Sequence, residues 1–257
     1  MQIKANFLGT GTSQGVPVIG CTCMVCQSKN VKDKRLRSSM FISINNYNIL
    51  IDIGPDFRSQ MLNSKISSVD CILFTHHHRD HTAGLDDIRP IFYLNKKPIE
   101  LFAEHNVLDS LQHDYRYLFS GPNYPGKPQL KLNVIDNTPF FFDKIKITPI
   151  RAMHYKLPVL GFRIGNMAYV TDANYISSVE KKKLIGLEVF ILNSLEREKH
   201  ISHYSLKESL EIINELKPKK AYLTHISHNM GLYTEVMKEL PKNVALAYDN
   251  LTIKIND

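Results

Sequence analysis

Four side chains of metal-binding type fall within six residues of this chain, at His76, His78, Asp80 and His81, directly after the apolar, β-branched stretch Val69 to Thr75. That stretch reads as a buried strand. In an extended segment alternate side chains project to one side, so His76, His78 and Asp80 share a face. His81 adds a donor where the chain turns towards a helix at Thr82-Ala83-Gly84. Imidazole and carboxylate are ligands for zinc, manganese and iron. A catalytic ion keeps an open position for water, so four donors from one short loop exceed what one ion needs. Two ions sharing the loop is the simplest expectation. The run is internal, follows a strand and is interrupted by Asp80, which sets it apart from a tag.

More donors recur in the same setting. Phe74-Thr75-His76, Val170-Thr171-Asp172 and Leu223-Thr224-His225 each place a donor just after an apolar strand and a Thr, and His154 follows another strand, Ile145 to Met153. Strand ends along one sheet edge are a common place to assemble a site.

The rest of the chain alternates strands with helices. Ile3 to Leu8 reads as a strand before a Gly-rich turn from Gly9 to Gly15. Met40 to Ile44 and Tyr47 to Ile53 read as strands joined at Asn45-Asn46, a pair compatible with positive φ. Met167 to Thr171, Val189 to Asn193 and Ala221 to Thr224 look like further strands, and Leu246 to Ile255 closes the chain with alternation. Helical patterns span Asp56 to Leu62, Leu85 to Leu94, Val107 to Phe119, Ser205 to Leu216 and Tyr233 to Leu240. Ser205 followed by Glu208 matches a capping box, and Pro241 is a natural stop. With no linker-like break, packed α and β layers in one domain over residues 1–257 are expected.

Cys21, Cys23 and Cys26 pack three thiols into six residues. Thiolates select zinc, and a structural site wants four ligands; His228, three residues after His225, could be the fourth. Cys71 lies inside a strand and reads as a small buried hydrophobe.

The formal charge of +7 and sequence pI of about 9.1 favour anionic partners, such as phosphate esters or nucleic acid. No apolar run approaches the ~20 residues of a membrane span. The first residues run straight into the strand at Ile3, without a basic segment followed by an apolar one. A cytoplasmic location is expected, where cysteines are thiols or metal ligands rather than disulfides.

The set His76-x-His78-x-Asp80-His81, with later His154, Asp172 and His225, resembles the metallo-β-lactamase superfamily of hydrolases over nearly the whole chain. The resemblance implies an αββα sandwich with metals at one edge. It implies that His76, His78 and His154 hold one ion, that Asp80, His81 and His225 hold the other, and that Asp172 bridges them. A bridging Asp is the pattern of the superfamily's dinuclear phosphodiester hydrolases.

Leu8-Gly9-Thr10-Gly11-Thr12-Ser13, the cysteine run, Gly84-Leu85-Asp86-Asp87-Ile88-Arg89 and Leu223-Thr224-His225-Ile226-Ser227-His228 together resemble the PhnP-like subgroup. That subgroup contains the phosphoribosyl cyclic phosphate phosphodiesterases of the carbon–phosphorus lyase pathway. The resemblance implies manganese or zinc in the active site and a structural zinc on Cys21, Cys23, Cys26 and His228.

The expected function is hydrolysis of a small, cyclic-type phosphodiester by a hydroxide held between two divalent ions. Asp80 is counted with the catalytic residues. The leaving alkoxide needs a proton. His200 and His203 are the free candidates before the helix at Ser205, and the resemblance favours His203 as the acid. Asp52, after an apolar strand, is a candidate for orienting a metal-bound histidine; Asp86, Asp87 and Arg89 are left without a catalytic role. Three alternatives stand: a tRNA 3′-processing type of endonuclease, a hydrolase of another ester or thioester, and a non-catalytic metal-binding module. Nucleic acid is thus a less favoured partner than a small phosphodiester, no membrane is expected, and a homodimer stays open.

Overall fold

The computed structural model describes residues 2–120 and 126–256. Six strands come first: β1 (Gln2–Gly9), β2 (Ser39–Ile44), β3 (Tyr47–Ile51), β4 (Cys71–Leu73), β5 (Ile99–Ala103) and β6 (Leu130–Val134). Eight more follow: β7 (Phe140–Phe142), β8 (Ile145–His154), β9 (Leu157–Ile164), β10 (Met167–Val170), β11 (Tyr175–Ile176), β12 (Val189–Asn193), β13 (Lys220–Thr224) and β14 (Val244–Leu246). The last strand, β15 (Thr252–Asn256), returns to the first sheet, whose order is β15-β1-β2-β3-β4-β5-β6. The second sheet runs β11-β8-β9-β10-β12-β13-β14, with β7 paired to β8.

Three apolar clusters account for the layers. One lies between the sheets and includes Ile3, Phe7, Met40, Ile42, Ile147, Phe162 and Tyr169. A second joins the second sheet to helix Leu206–Leu216 and helix Tyr233–Glu239 through Phe190, Leu223, Ile213 and Val236. The third joins the first sheet to helix Phe57–Ser64 and helix His105–Asp114 through Leu50, Ile72, Phe57 and Leu108. Each sheet is therefore apolar on both faces, and the chain folds as a layered αββα sandwich. Strands buried on both faces explain the continuous apolar runs, such as Val189–Asn193, that replace strict alternation.

Local sequence rules hold at several joints. Asn45 and Asn46 turn with φ of 49° and 68°, as a two-residue hairpin between β2 and β3 requires. The capping box forms at Ser205 and Glu208: the Ser205 hydroxyl accepts from the Glu208 N–H, and the Glu208 carboxylate accepts from the Ser205 N–H. The tail departs from its reading. Leu246 to Ile255 is not one strand: Leu246 ends β14 in the second sheet, and β15 begins at Thr252 in the first. Asn250, at φ 66°, turns the chain between layers. The segment Val107–Phe119 breaks at Tyr115, and Leu85–Ile88 is a 3-10 turn before the helix Arg89–Asn95.

One edge of the sandwich collects strand ends. β3 and β4 run parallel, as do β10, β12 and β13. β8 is antiparallel to β9, and β9 to β10, so β8 points the same way as β10. Their carboxyl ends deliver Asp52, Thr75-His76, His154, Asp172 and His225 to that edge. Asp52, Asp172 and His225 have φ of 62°, 55° and 55°. Non-glycine residues at such φ cost about 1–3 kcal/mol each when strained, and they cluster where function over-determines the backbone.

Candidate active site

The loop of His76 to His81 packs against the segment after β3. Ile53 N–H donates to His81 O, and Gly84 N–H to Ile53 O. A Cβ at Gly54 would stand 2.1 Å from the Asp80 carbonyl oxygen, and one at Gly84 2.1 Å from the Gly54 carbonyl oxygen. Glycine is required because backbone meets backbone there.

Hydrogen bonding fixes how four histidines present themselves. The buried Asp52 carboxylate accepts from Thr75 N–H (2.9 Å), from Thr75 Oγ1–H (2.9 Å) and from His81 Nδ1–H (2.7 Å). With its proton given to Asp52, Thr75 Oγ1 accepts from His76 Nδ1–H at 2.9 Å. Ser38 Oγ–H donates to Gly11 O, so its oxygen is an acceptor for His225 Nδ1–H at 3.2 Å, and Asp172 Oδ2 lies equally near that nitrogen at 3.2 Å. His154 Nδ1–H donates to Ser202 O at 2.9 Å. Every Nδ1 of these four rings is thus tied to an oxygen, which leaves Nε2 as the nitrogen free for an ion. The Nε2 atoms of His76 and His225 are buried with no hydrogen-bond partner, and that of His81 has only two carboxylates beside it. Buried polar atoms are rarely left so. Orienting the far nitrogen of a metal-ligating histidine by a carboxylate, hydroxyl or carbonyl is the usual device of metal sites.

The carboxylates stand opposite. Asp80 Oδ2 is 3.0 Å and Asp172 Oδ2 3.2 Å from His81 Nε2. The ligand atoms of Asp80, His81, Asp172 and His225 all lie within 4.8 Å of one another, as do those of His154, Asp172 and His203, so Asp172 belongs to both groups. His76 and His78 complete the ring wall: His76 lies 4.5 Å from His78 and 5.8 Å from His154 between centroids, and His78 lies 5.2 Å from His154. Every histidine and aspartate expected at the centre is brought together.

The electrostatics match a cation site. Burial, reinforced by the neighbouring His81, pushes the pKa of His76 well down. Burial takes His225 down to about 4 and lowers His78 and His154. These rings are neutral donors near pH 7. Burial opposes charge on His81 as well, but Asp80, Asp172 and Asp52 outweigh it and raise its pKa well above the usual range. Asp172 is held well below the usual carboxylate range because His225 and His81 overcome its burial.

A second cluster lies on the loop before Val31. Cys21 Sγ is 3.3 Å and Cys23 Sγ 3.4 Å from His228 Nδ1, and Cys21, Cys23, Cys26 and His228 form one group of ligand atoms. Backbone N–H groups donate to two of the sulfurs, from Cys26 to Cys23 (3.4 Å) and from Val18 to Cys26 (3.3 Å). The Cys26 amide, with His228, lowers the Cys23 thiol to about 6, whereas burial raises Cys26 to about 11. Cys71 is buried in β4, away from this group.

His203 stands in the site with Nε2 3.2 Å from Asp172 Oδ1 and its ring stacked on His225 at 4.9 Å. Asp86 and Arg89 pair with each other, and Arg89 reaches Tyr117 Oη at 2.9 Å, while Asp87 is exposed. Ser38, Ser202 and Asn193 escaped the sequence reading. Asn193 holds the turn after Asp172 by accepting from Ala173 N–H and donating to Ala173 O. The repeated Thr before each donor was a visible signal: Thr75 orients His76, and Thr171 Oγ1 donates to Asp172 Oδ2 at 2.7 Å. Serines on distant loops carry no such signal.

The family model for the beta-lactamase superfamily domain matches residues 47–226, more than half of the chain. The chain belongs to the metallo-β-lactamase superfamily. Within that superfamily it is similar to a solved structure described as a new diphosphatase from the PhnP family, with 34% identity, a TM-score of 0.93, and coverage of 99% of this chain and 98% of that one. An octanoyltransferase of Porphyromonas gingivalis is 40% identical over 99% of this chain and 52% of its own length. A ribonuclease Z of Nostoc punctiforme is 26% identical over 72% of this chain and 52% of its own. The chain spans about half the length of these curated relatives. No helix among the described residues is long and apolar enough to cross a membrane.

Proposed function

We propose that this metallo-β-lactamase-fold chain is a two-metal hydrolase of small phosphodiesters, cyclic ones included. The observation that carries the reading is the pair of buried Nε2 atoms of His76 and His225 with no hydrogen-bond partner, gathered with the His81 Nε2 that faces Asp80 and Asp172. In this reading His76, His78 and His154 hold one ion, Asp80, His81 and His225 the other, and Asp172 serves both. Two divalent ions, manganese or zinc, at these donors would supply Lewis-acid charge and an activated water.

The chain's own groups do the rest. Asp52 and Thr75 lock two rings, Ser38 a third and the Ser202 carbonyl a fourth, so the donors need no reorganisation when charge develops on a phosphoryl group. His203, beside Asp172 and outside the ligand set, is placed to give a proton to the leaving oxygen. Cys21, Cys23, Cys26 and His228 would hold a zinc with closed coordination, a structural role.

A diphosphate is the second reading, favoured by the PhnP-family diphosphatase similar over the full chain. Its scissile bond is also P–O, but the group that leaves is a phosphate, which needs a proton less than an alkoxide does. The test is a panel of cyclic phosphodiesters, diphosphates and precursor tRNA with added manganese or zinc, and Asp80→Ala as control. Turnover of a cyclic phosphodiester, lost in Asp80→Ala, supports the reading; turnover of precursor tRNA alone rejects it in favour of the endonuclease.

A further inference from the structure

Beside His203 lies a small polar assembly that the ligand set does not use. Ser202 N–H donates to His200 Nδ1 at 3.3 Å, which makes that nitrogen an acceptor and places the His200 proton on Nε2. Ser202 Oγ is 3.2 Å from the same His200 nitrogen and 3.0 Å from His203 Nδ1. With a lone pair on His200 Nδ1, Ser202 Oγ–H donates to that nitrogen, and His203 Nδ1–H faces two acceptors, Ser202 Oγ at 3.0 Å and, further off, His200 Nδ1 at 3.3 Å, so both residues hold the His203 ring. His203 then has an oxygen acceptor on each side, Ser202 Oγ at Nδ1 and Asp172 Oδ1 at Nε2. A ring that must carry and release a proton from Nε2 needs such a partner behind it.

The loop bearing this assembly is clamped to the metal-site turn. Tyr204 N–H donates to Ala173 O, Leu195 N–H to Tyr204 O, and Asn174 Nδ2–H to Ile201 O. The capping box at Ser205 then starts the next helix. Ser202 has two separable jobs in this frame: its backbone carbonyl orients His154, and its hydroxyl faces His203 and His200.

We infer that Ser202 and His200 are positioning residues which, through the Ser202 hydroxyl, hold the His203 ring in the tautomer and rotamer that aim Nε2 at the leaving oxygen. This rests on the reading of His203 as the proton donor. The side-chain hydrogen bonds of both residues go to each other and to His203, not to the proposed ligand set. Removing the hydroxyl should therefore spare metal content and act only where the leaving group needs a proton.

The experiment compares an aryl diester, bis(p-nitrophenyl) phosphate, whose leaving group departs unaided, with a cyclic ribose phosphodiester, whose alkoxide does not. Ser202→Ala and His200→Ala should lower kcat on the cyclic substrate by about 10–100-fold, the scale of losing a ligand-orienting partner, with KM little changed. The aryl substrate should change by less than about threefold. Ser202→Thr, which keeps the hydroxyl, should restore the rate, and metal content should match the wild type because the Ser202 carbonyl remains. A readout independent of turnover is the tautomer pattern of ¹⁵N-histidine in the metal-free protein: His200 protonated at Nε2, His203 protonated at Nδ1, and the His203 signals displaced in Ser202→Ala. Equal losses on both substrates, a silent Ser202→Ala, or a His200 protonated at Nδ1 overturns the inference. His203→Ala separates the two levels. If it lacks the leaving-group dependence, the acid reading fails and this inference with it. If it shows the dependence and Ser202→Ala does not, only the positioning claim fails.

Discussion

The two donor clusters are built on opposite plans. The histidine–aspartate centre draws its groups from strand ends of both sheets, buries most of them, and orients its rings with side-chain and backbone oxygens: Asp52, Thr75, Ser38 and the Ser202 carbonyl. The cysteine cluster takes three donors from one short loop, leaves Cys21 and Cys23 half-buried, and has two sulfurs that accept from backbone N–H groups. Orientation by side chains fits a site that must keep positions open for substrate. Three thiols and an imidazole fill a tetrahedral zinc by themselves and need no such framing. The two plans meet in one loop: His225 belongs to the first and His228 to the second, and between them Ile226 pairs with Thr10 and Thr12 through backbone hydrogen bonds.

That contrast can be broken from either side. Asp80→Ala removes a carboxylate facing His81 and should reduce hydrolysis by about 10³-fold or more, while metal analysis still finds the ion at the cysteines. Asp52→Asn keeps the shape but weakens the hold on His81 and Thr75. It should cost about 10–100-fold in activity or active-site metal affinity, measured by steady-state rates and metal titration. Gly54→Ala drives a Cβ into the Asp80 carbonyl. It should destabilise the fold by about 1–3 kcal/mol, a fall of roughly 3–10 °C in melting temperature. Cys23→Ser should lose one equivalent of zinc and lower the melting temperature, with kcat of the folded fraction within about twofold because no ligand of the first centre moves. A loss of turnover as large as that of Asp80→Ala would show that the shared loop couples the centres.

Much of this was legible in the sequence, because the signals were local. The run from His76 to His81, the Thr that precedes His76, Asp172 and His225, and the clustered cysteines all lie at strand ends or within a few residues of each other. The Ser205 capping box and the Asn45-Asn46 turn are likewise short-range. Layer crossings were not legible. Leu246 to Ile255 alternates like a strand, yet its halves serve different sheets, since periodicity reports a face and not which sheet it faces. Nor did Ser38 and Ser202 stand out. Their hydroxyls matter only because the fold sets them against His225 and His203.

Metal content tests the central claim most directly. The chain and Asp172→Ala would be loaded with manganese and zinc, dialysed and analysed. If the histidine and aspartate donors grip a pair of ions around Asp172, the unaltered chain should retain about three ions and Asp172→Ala close to one, the zinc of the cysteine cluster. An Asp172→Ala chain that is folded and keeps the same metal as its parent would contradict it.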